Sequence, residues 1–163
     1  MRSKGFSLIE LVIVLILLSL SVSLVVPSLF HISRRIELRG AAKKVSGILR
    51  YCRSEAINKG MVFQVLFNSE LREVKVQSVK LTEEKAEDEK QDKLSEKIYS
   101  FPEGINMREV KVSSAQYPSD FPTIEFYPNG GSNGGSVLLG SQDQRGYRIK
   151  VNFLTGLVEI EEI

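Results

Sequence analysis

Glu10 is the only charged side chain in a run of apolar and small residues that extends from Phe6 to Phe30. A carboxylate at membrane depth costs roughly 2.5–3.5 kcal/mol on insertion scales, so such a residue normally has a partner and a function. The pattern predicts that Glu10 forms an ion pair in a low-dielectric environment. The side chains of the apolar run itself provide no cation for that pair.

The remaining residue types are poorly suited to catalysis or metal binding. His31 and Cys52 are the only histidine and the only cysteine. An intrachain disulfide is therefore impossible, and no second imidazole or thiol can complete a metal site. The acidic segment 80–97 lacks the D-x-D-x-D-G spacing of a calcium loop. We therefore expect no cofactor, no metal and no enzymatic activity.

The charge balance argues against a general polyanion binder. The formal net charge is +2, and removal of the first five residues would leave 20 basic residues against 20 acidic ones. Such a chain has no excess charge with which to attract nucleic acid. Arg145, Arg148 and Lys150 are the candidates for phosphate contacts. Because Glu159 and further acidic residues follow closely, DNA binding is not expected.

Two ordinary interpretations of the apolar run leave Glu10 unexplained. A secretory signal peptide has an apolar stretch of roughly 7–15 residues and a small-residue cleavage site, whereas this run is longer and ends in VVPSLF. A membrane anchor fits the length, since about 20 apolar residues span the hydrocarbon. Arg2 and Lys4 then favour a cytoplasmic N-terminus.

Helical periodicity continues beyond the apolar run as far as Gly60, a typical C-terminal stop. Pro27 either kinks this helix or marks the membrane exit. The predicted core face comprises Ile32, Ile36, Ala41, Val45, Ile48, Leu49, Cys52 and Ala56. The basic residues on the other faces predict a solvated surface, although they could touch phosphate or lipid head groups: Arg34, Arg35, Arg39, Lys43, Lys44, Arg50 and Arg53.

After Gly60 the apolar period changes to two, which predicts strands. They are expected at 61–68, 71–81, 97–101, 105–112, 123–127, 136–140, 147–153 and 157–163, with turns at 68–70 and 154–156. They predict an antiparallel sheet with one buried face, which includes Tyr147, Ile149, Val151 and Phe153 and packs on helix 31–59. Residues 80–97 are a charged insert, either a mobile loop or a short helix. The glycine-rich stretch 127–136 is expected to be a flexible connection.

The N-terminal stretch KGFSLIELVIVLILLSL resembles that of type IV prepilins and type II secretion pseudopilins, with matches at Gly5, Phe6, Leu8, Ile9 and Glu10. The resemblance implies that a prepilin peptidase cuts after Gly5 and methylates Phe6. It also implies that Glu10 pairs with the Phe6 amine of a neighbouring subunit. The new α-amine has a reference pKa near 8 and is mostly cationic at neutral pH. Pairing of Glu10 with its own Phe6 amine, one helical turn away, is the alternative, and the two are not exclusive.

Further segments are similar to H-type (GspH/FimT) minor pseudopilins. The residues CRSEA at 52–56 correspond to a helix end that runs into the first strand. The stretches IEFYPNGGSNGGSVLL and YRIKVNFLTGLVEI correspond to a turn, a strand and a closing T-G hairpin. The charged insert falls outside this pattern.

The resemblance implies an α+β, pilin-like fold, in which a long helix, half transmembrane and half amphipathic, packs on an antiparallel β-sheet domain. The expected divisions are a leader at 1–5, a transmembrane segment at 6–30 and a periplasmic domain at 31–163. The expected function is that of a non-enzymatic minor pseudopilin in the periplasmic pseudopilus of a type II secretion system. The alternative is a minor pilin of a type IV pilus that acts in pilus assembly or DNA uptake.

The resemblance also implies the partners and the location. A single pass through the bacterial inner membrane would leave the N-terminus in the cytoplasm. Expected partners are other pseudopilins or pilins, through the N-terminal helix bundle, the prepilin peptidase, inner-membrane lipid and the secretion platform.

Overall fold

The computed structural model describes residues 7–79, 97–141 and 146–163, with the side chains of 23–32 left out. Gly5, Phe6, Arg145 and nearly all of the charged insert therefore lie outside the described residues. The chain divides into two compact units, Met1–Ile36 and Glu37–Ile163.

Helix α1 spans Leu8–Lys59. It ends at Gly60, which has a φ of 65° and whose N–H donates to the Ala56 carbonyl oxygen at 3.1 Å. A glycine adopts this left-handed conformation without steric cost, so the predicted stop is explained.

The part of α1 in the second unit buries one face. Its buried residues are Leu38, Ala41, Ala42, Val45, Ile48, Leu49, Cys52 and Ala56. Ile36 was predicted on this face but is 66% exposed. Leu38 takes part instead, because it precedes Ala41, Ala42 and Val45 by three, four and seven residues, the spacing of one helix face.

Eight strands follow the helix in the part of the chain that the structure describes. They are β1 (Val62–Asn68), β2 (Glu73–Val79), β3 (Lys97–Ser100), β4 (Asn106–Val112), β5 (Thr123–Phe126), β6 (Gly135–Gly140), β7 (Gly146–Val151) and β8 (Val158–Glu162). The eight predicted strands are present, and most bounds differ from the prediction by one or two residues.

The strands form two sheets rather than the single sheet that the sequence predicted. Sheet A has the order β3-β2-β1-β5, and sheet B has the order β4-β6-β7-β8. Each paired set is antiparallel. Alternation along one strand shows which face is buried but carries no information about which strands pair, so the division was not visible in the sequence.

A single apolar core joins the helix and both sheets within the second unit. Phe63, Val65 and Phe67 of β1 and Tyr147, Ile149 and Val151 of β7 lie in it. Phe153 was predicted on the buried face of its strand but is 65% exposed. The reason is that β7 ends at Val151, so Phe153 already belongs to the turn before β8.

The glycine-rich stretch connects β5 to β6 as predicted, but it is not the flexible connection that the sequence predicted. Residues 130–134 are buried. The Tyr127 N–H donates to the Gly131 carbonyl oxygen at 3.0 Å, and Phe126 and Ser132 form an isolated β-bridge. The connection is therefore part of the ordered interior.

The charged insert leaves and rejoins the fold at neighbouring strands. β2 runs to Val79 and β3 begins at Lys97, and Lys97 pairs with Val76. The strand thus starts on the last residue of the predicted insert, and the two ends of the segment lie on adjacent strands of sheet A.

Candidate functional site

The N-terminal segment presents an apolar helix surface with one carboxylate. Described large apolar side chains from Leu8 to Val22 are 40–82% exposed. The hydroxyls of Ser19 and Ser21 donate to carbonyl oxygens one turn back, at 2.8 Å each, so these polar groups need no outside partner. A surface of this kind requires cover from lipid or from other helices.

Glu10 lies in the first turn of α1. The N–H groups of Glu10 and Leu11 donate to the Ser7 carbonyl oxygen at 3.1 and 3.2 Å, so the helix is already formed where the carboxylate projects. Gly5 and Phe6 lie outside the described residues. Cleavage after Gly5, methylation of Phe6 and the Phe6–Glu10 pair therefore remain predictions.

Helix α1 continues through position 27 without interruption. A kink at Pro27 remains a prediction. Within the part of the chain that the structure describes, no helix is both long enough and apolar enough to cross a bilayer.

Sheet B carries two of the three candidate phosphate contacts, Arg148 and Lys150, and both lie close to acidic residues. Lys150 Nζ lies 2.8 Å from a carboxylate oxygen of Glu161, and Lys111 Nζ lies 2.7 Å from Glu109. Arg148 of β7 pairs in register with Glu161 of β8. A phosphate at Lys150 would have to compete with an existing ion pair. DNA contact by Arg145, Arg148 and Lys150 stays a prediction that the sequence already disfavoured.

A buried carboxylate that the sequence did not reveal lies on β5. Glu125 is 0% exposed. Its Oε1 accepts from Gln64 Nε2 and from the Tyr117 N–H, both at 3.0 Å. Its Oε2 accepts from the Gln116 N–H at 2.7 Å and from the Tyr127 hydroxyl at 3.0 Å. Four neutral donors thus replace the water that a buried carboxylate loses.

The Glu125 hydrogen bonds fix segment 113–122, which connects β4 of sheet B to β5 of sheet A. Two of the four donors are backbone N–H groups of this segment. Asn133 Nδ2 donates to the carbonyl oxygen of Ser113, the first residue of this segment, at 3.2 Å. Asn133 Oδ1 accepts from the Glu125 N–H at 2.8 Å. Burial and the neighbouring Glu125 carboxylate raise the pKa of Tyr127 to about 12. The tyrosine therefore remains a donor throughout the physiological range.

Arg53 joins the three segments that resemble H-type pseudopilins. It lies on α1, and its Nε donates to the Gly130 carbonyl oxygen at 3.1 Å and to the Thr155 carbonyl oxygen at 2.9 Å. Gly130 belongs to the glycine-rich stretch and Thr155 to the closing hairpin. One guanidinium thus fixes both turns against the end of the helix.

Gly156→Ala is expected to lower the free energy of unfolding by about 2 kcal/mol. Gly156 has a φ of 61°, and a Cβ there would lie 2.6 Å from the Gly130 carbonyl oxygen and 3.0 Å from Arg53 Nε. Gly47→Ala is the matched control, because a Cβ at this helical position meets nothing within 4 Å and should stabilise the helix slightly. Urea unfolding of both variants measures the difference. Equal stability would show that the turn has room to move.

Cys52 is a core residue rather than a nucleophile. It is 0% exposed, and burial, with a smaller contribution from the Glu55 carboxylate, raises the pKa of its thiol to about 12. A thiol with so little thiolate at neutral pH is unreactive. Among the residues that the structure describes, the His, Cys, Asp and Glu side chains form no group of three or more that could hold a metal ion.

Two family models match the chain. The model described as type II transport protein GspH matches residues 41–155, and that of the prokaryotic N-terminal methylation motif matches residues 1–26. A curated relative, the type II secretion system protein H of Xanthomonas campestris pv. campestris, is 26% identical over 155 residues. The alignment covers 95% of this chain and 81% of that protein.

Solved structures show the same fold. The minor pseudopilin EpsH of Vibrio cholerae matches with a TM-score of 0.57 and 17% identity, over 77% of this chain and 96% of that one. The type IV minor pilin FimU of Pseudomonas aeruginosa matches with a TM-score of 0.51 and 16% identity, over 76% of this chain and 92% of that one. These matches confirm the α+β, pilin-like fold and the resemblance to the H-type group. The chain belongs to the family of the type II transport protein GspH.

Proposed function

We propose that this protein is a minor pseudopilin of a type II secretion system, with a mechanical rather than an enzymatic role. A methylation motif at residues 1–26 followed by a GspH domain at 41–155 is the observation that carries the proposal. In this view residues 1–5 are a leader, 6–30 cross the inner membrane once, and 31–163 form the periplasmic domain.

Cleavage after Gly5 would supply the cation that Glu10 lacks. The new α-amine of Phe6 stays cationic after methylation and belongs to a residue four positions before Glu10 in the sequence. In a bundle of N-terminal helices, a Glu10 from one subunit can pair with the Phe6 amine of the next. Such a pair in a low-dielectric bundle depends strongly on alignment, since an unpaired charge there is costly. The pair would therefore set the register between subunits.

Packing of the helix surface would provide the cohesion of the filament. The exposed apolar side chains between Leu8 and Val22 would exchange lipid contacts for contacts with neighbouring helices, where van der Waals packing favours association. The prepilin peptidase and the secretion platform are the further partners that this role requires. The sheet domain, with its ordered turns, would present the surfaces for subunit contacts outside the membrane.

Mass spectrometry of the membrane-inserted protein tests the proposal. The mature chain is expected to begin at Phe6 and to carry a methyl group on its α-amine. Gly5→Glu should leave the leader attached, because the peptidase would lose the residue that it cuts after, whereas Ser3→Ala in the same leader should be processed normally. A chain that keeps Met1, or one cut near Ser28, would contradict the proposal.

A minor pilin of a type IV pilus is the second candidate, because FimU shares the fold with a TM-score of 0.51, close to the 0.57 for EpsH. Deletion of the gene, followed by measurement of exoprotein release, twitching and transformation, distinguishes the two. Loss of exoprotein release with intact twitching supports the pseudopilin. The reverse result supports the pilin.

A further inference from the structure

Five basic residues follow the apolar run within one short stretch of α1. They are Arg34, Arg35, Arg39, Lys43 and Lys44. Lys44 is engaged with the domain, since its Nζ donates to the Ser100 carbonyl oxygen at 3.4 Å and lies 5.5 Å from the centre of the Tyr99 ring. The side chains of Arg34 and Arg35, the first two of the five, are exposed. We refer to these two arginines as the basic collar.

The basic collar follows the apolar run. In the proposed orientation it therefore lies on the periplasmic side of the membrane, where positive charge is disfavoured. Basic residues close to a membrane helix favour the cytoplasmic side, and acidic residues contribute little to this preference. Arg2 and Lys4 precede the run, whereas five basic residues follow Phe30 within fourteen positions. In the proposed orientation the larger positive cluster is the one that crosses the membrane. Some favourable interaction on the far side has to compensate.

The rest of the domain has no net positive charge. Residues 45–163 contain 15 basic and 18 acidic residues, so this part of the chain has a small negative excess and is weakly repelled by an anionic surface. The positive charge is concentrated where the chain follows the apolar run.

We propose that the basic collar binds the head groups of anionic phospholipids in the periplasmic leaflet, an inference that rests on the membrane anchoring proposed above. Arg34 and Arg35 follow Phe30 by four and five residues, about 6–8 Å along a helix. The head-group layer is about 5–8 Å thick on each side of the hydrocarbon. Both guanidinium groups would therefore lie at the depth of the phosphates.

Arginine is suited to this contact. Its planar guanidinium has five N–H donors and binds phosphate oxygens in pairs. Arg34 and Arg35 already interact within the chain, and the number of donors leaves others for lipid. The collar would hold the subunit at a fixed depth before assembly. Entry into the filament would then require the arginines to leave the lipid phosphates.

The test uses the mature full chain in vesicles of phosphatidylcholine mixed with phosphatidylglycerol. Electron paramagnetic resonance of spin-labelled lipids gives the preference of the protein for one head group over the other. We expect at least an approximately fivefold preference for phosphatidylglycerol, which falls with added salt. Arg34→Gln/Arg35→Gln should abolish it, and the corresponding double lysine variant should retain it.

The matched control removes the same number of cations from the domain surface. Lys59 and Lys111 have side chains that are 46% and 70% exposed, and their replacement by glutamine should leave the lipid preference unchanged. An inserted wild-type chain without preference, or a preference that survives in the arginine-to-glutamine variant, overturns the inference alone. If alkaline carbonate extracts the wild-type chain from the vesicles, the proposed anchoring fails and the inference fails with it.

Discussion

Glu125→Gln is expected to lower the free energy of unfolding by about 3 kcal/mol, although the two side chains have nearly the same shape. The carboxylate accepts four hydrogen bonds. A glutamine amide offers one oxygen, and its NH₂ group would face two donors. Each buried donor left without an acceptor costs about 1–3 kcal/mol. Urea unfolding of the full chain in detergent measures the change.

Tyr127→Phe is the control for this experiment. It removes one of the four donors and leaves the carboxylate with three, so we expect a loss of only about 1 kcal/mol. Because two of the donors belong to segment 113–122, Glu125→Gln should also speed hydrogen exchange at the amides of Gln116 and Tyr117. A variant as stable as the wild type, with unchanged exchange, would show that Glu125 does not hold the segment.

Glu10→Ala is expected to leave membrane insertion and cleavage intact while reducing incorporation into filaments at least tenfold. The substitution removes the carboxylate that would meet the Phe6 amine of a neighbouring subunit. Loss of one partner from a buried ion pair costs about 3–5 kcal/mol, because the other charge remains unpaired. Quantitative blotting of sheared filaments against the membrane fraction gives the incorporation ratio.

Glu37→Ala is the matched substitution for Glu10→Ala. It removes an exposed acidic residue of the same helix outside the apolar run and should leave incorporation unchanged. Normal incorporation of the Glu10 variant would exclude a role in register. A variant that is neither inserted nor cleaved would place the role of Glu10 before assembly.

Sequence periodicity predicted the helix and the strands well because the apolar pattern of each element repeats over several residues. The helix face around Val45, Leu49 and Cys52 and the alternation in β1 both follow from residues near each other in the chain. The N-terminal motif was equally visible, since its residues are consecutive. Phe153 was misassigned because it lies just past the end of β7, and periodicity does not locate such ends precisely. Ile36 lies within α1, where periodicity does not show at which residue the buried face begins.

The hydrogen bonds around Glu125 and Arg53 could not be predicted in this way. Gln64 and Glu125 are 61 residues apart, and Arg53 reaches Thr155 across 102 residues. Before the fold is known, both charged residues look like ordinary surface residues on a strand and a helix. Their burial follows from the pairing of strands into two sheets, and that pairing is a property of the whole domain.

The position of the charged insert has a consequence for how the protein can vary and be engineered. Because its ends lie on the neighbouring strands β2 and β3, a longer or shorter segment there closes a gap of unchanged width. Doubling the length of such a loop costs only about 0.6 kcal/mol in closure entropy. Evolution can therefore change residues 80–96 in length and composition, and an experimenter can place an epitope there, while the helix and both sheets stay as they are.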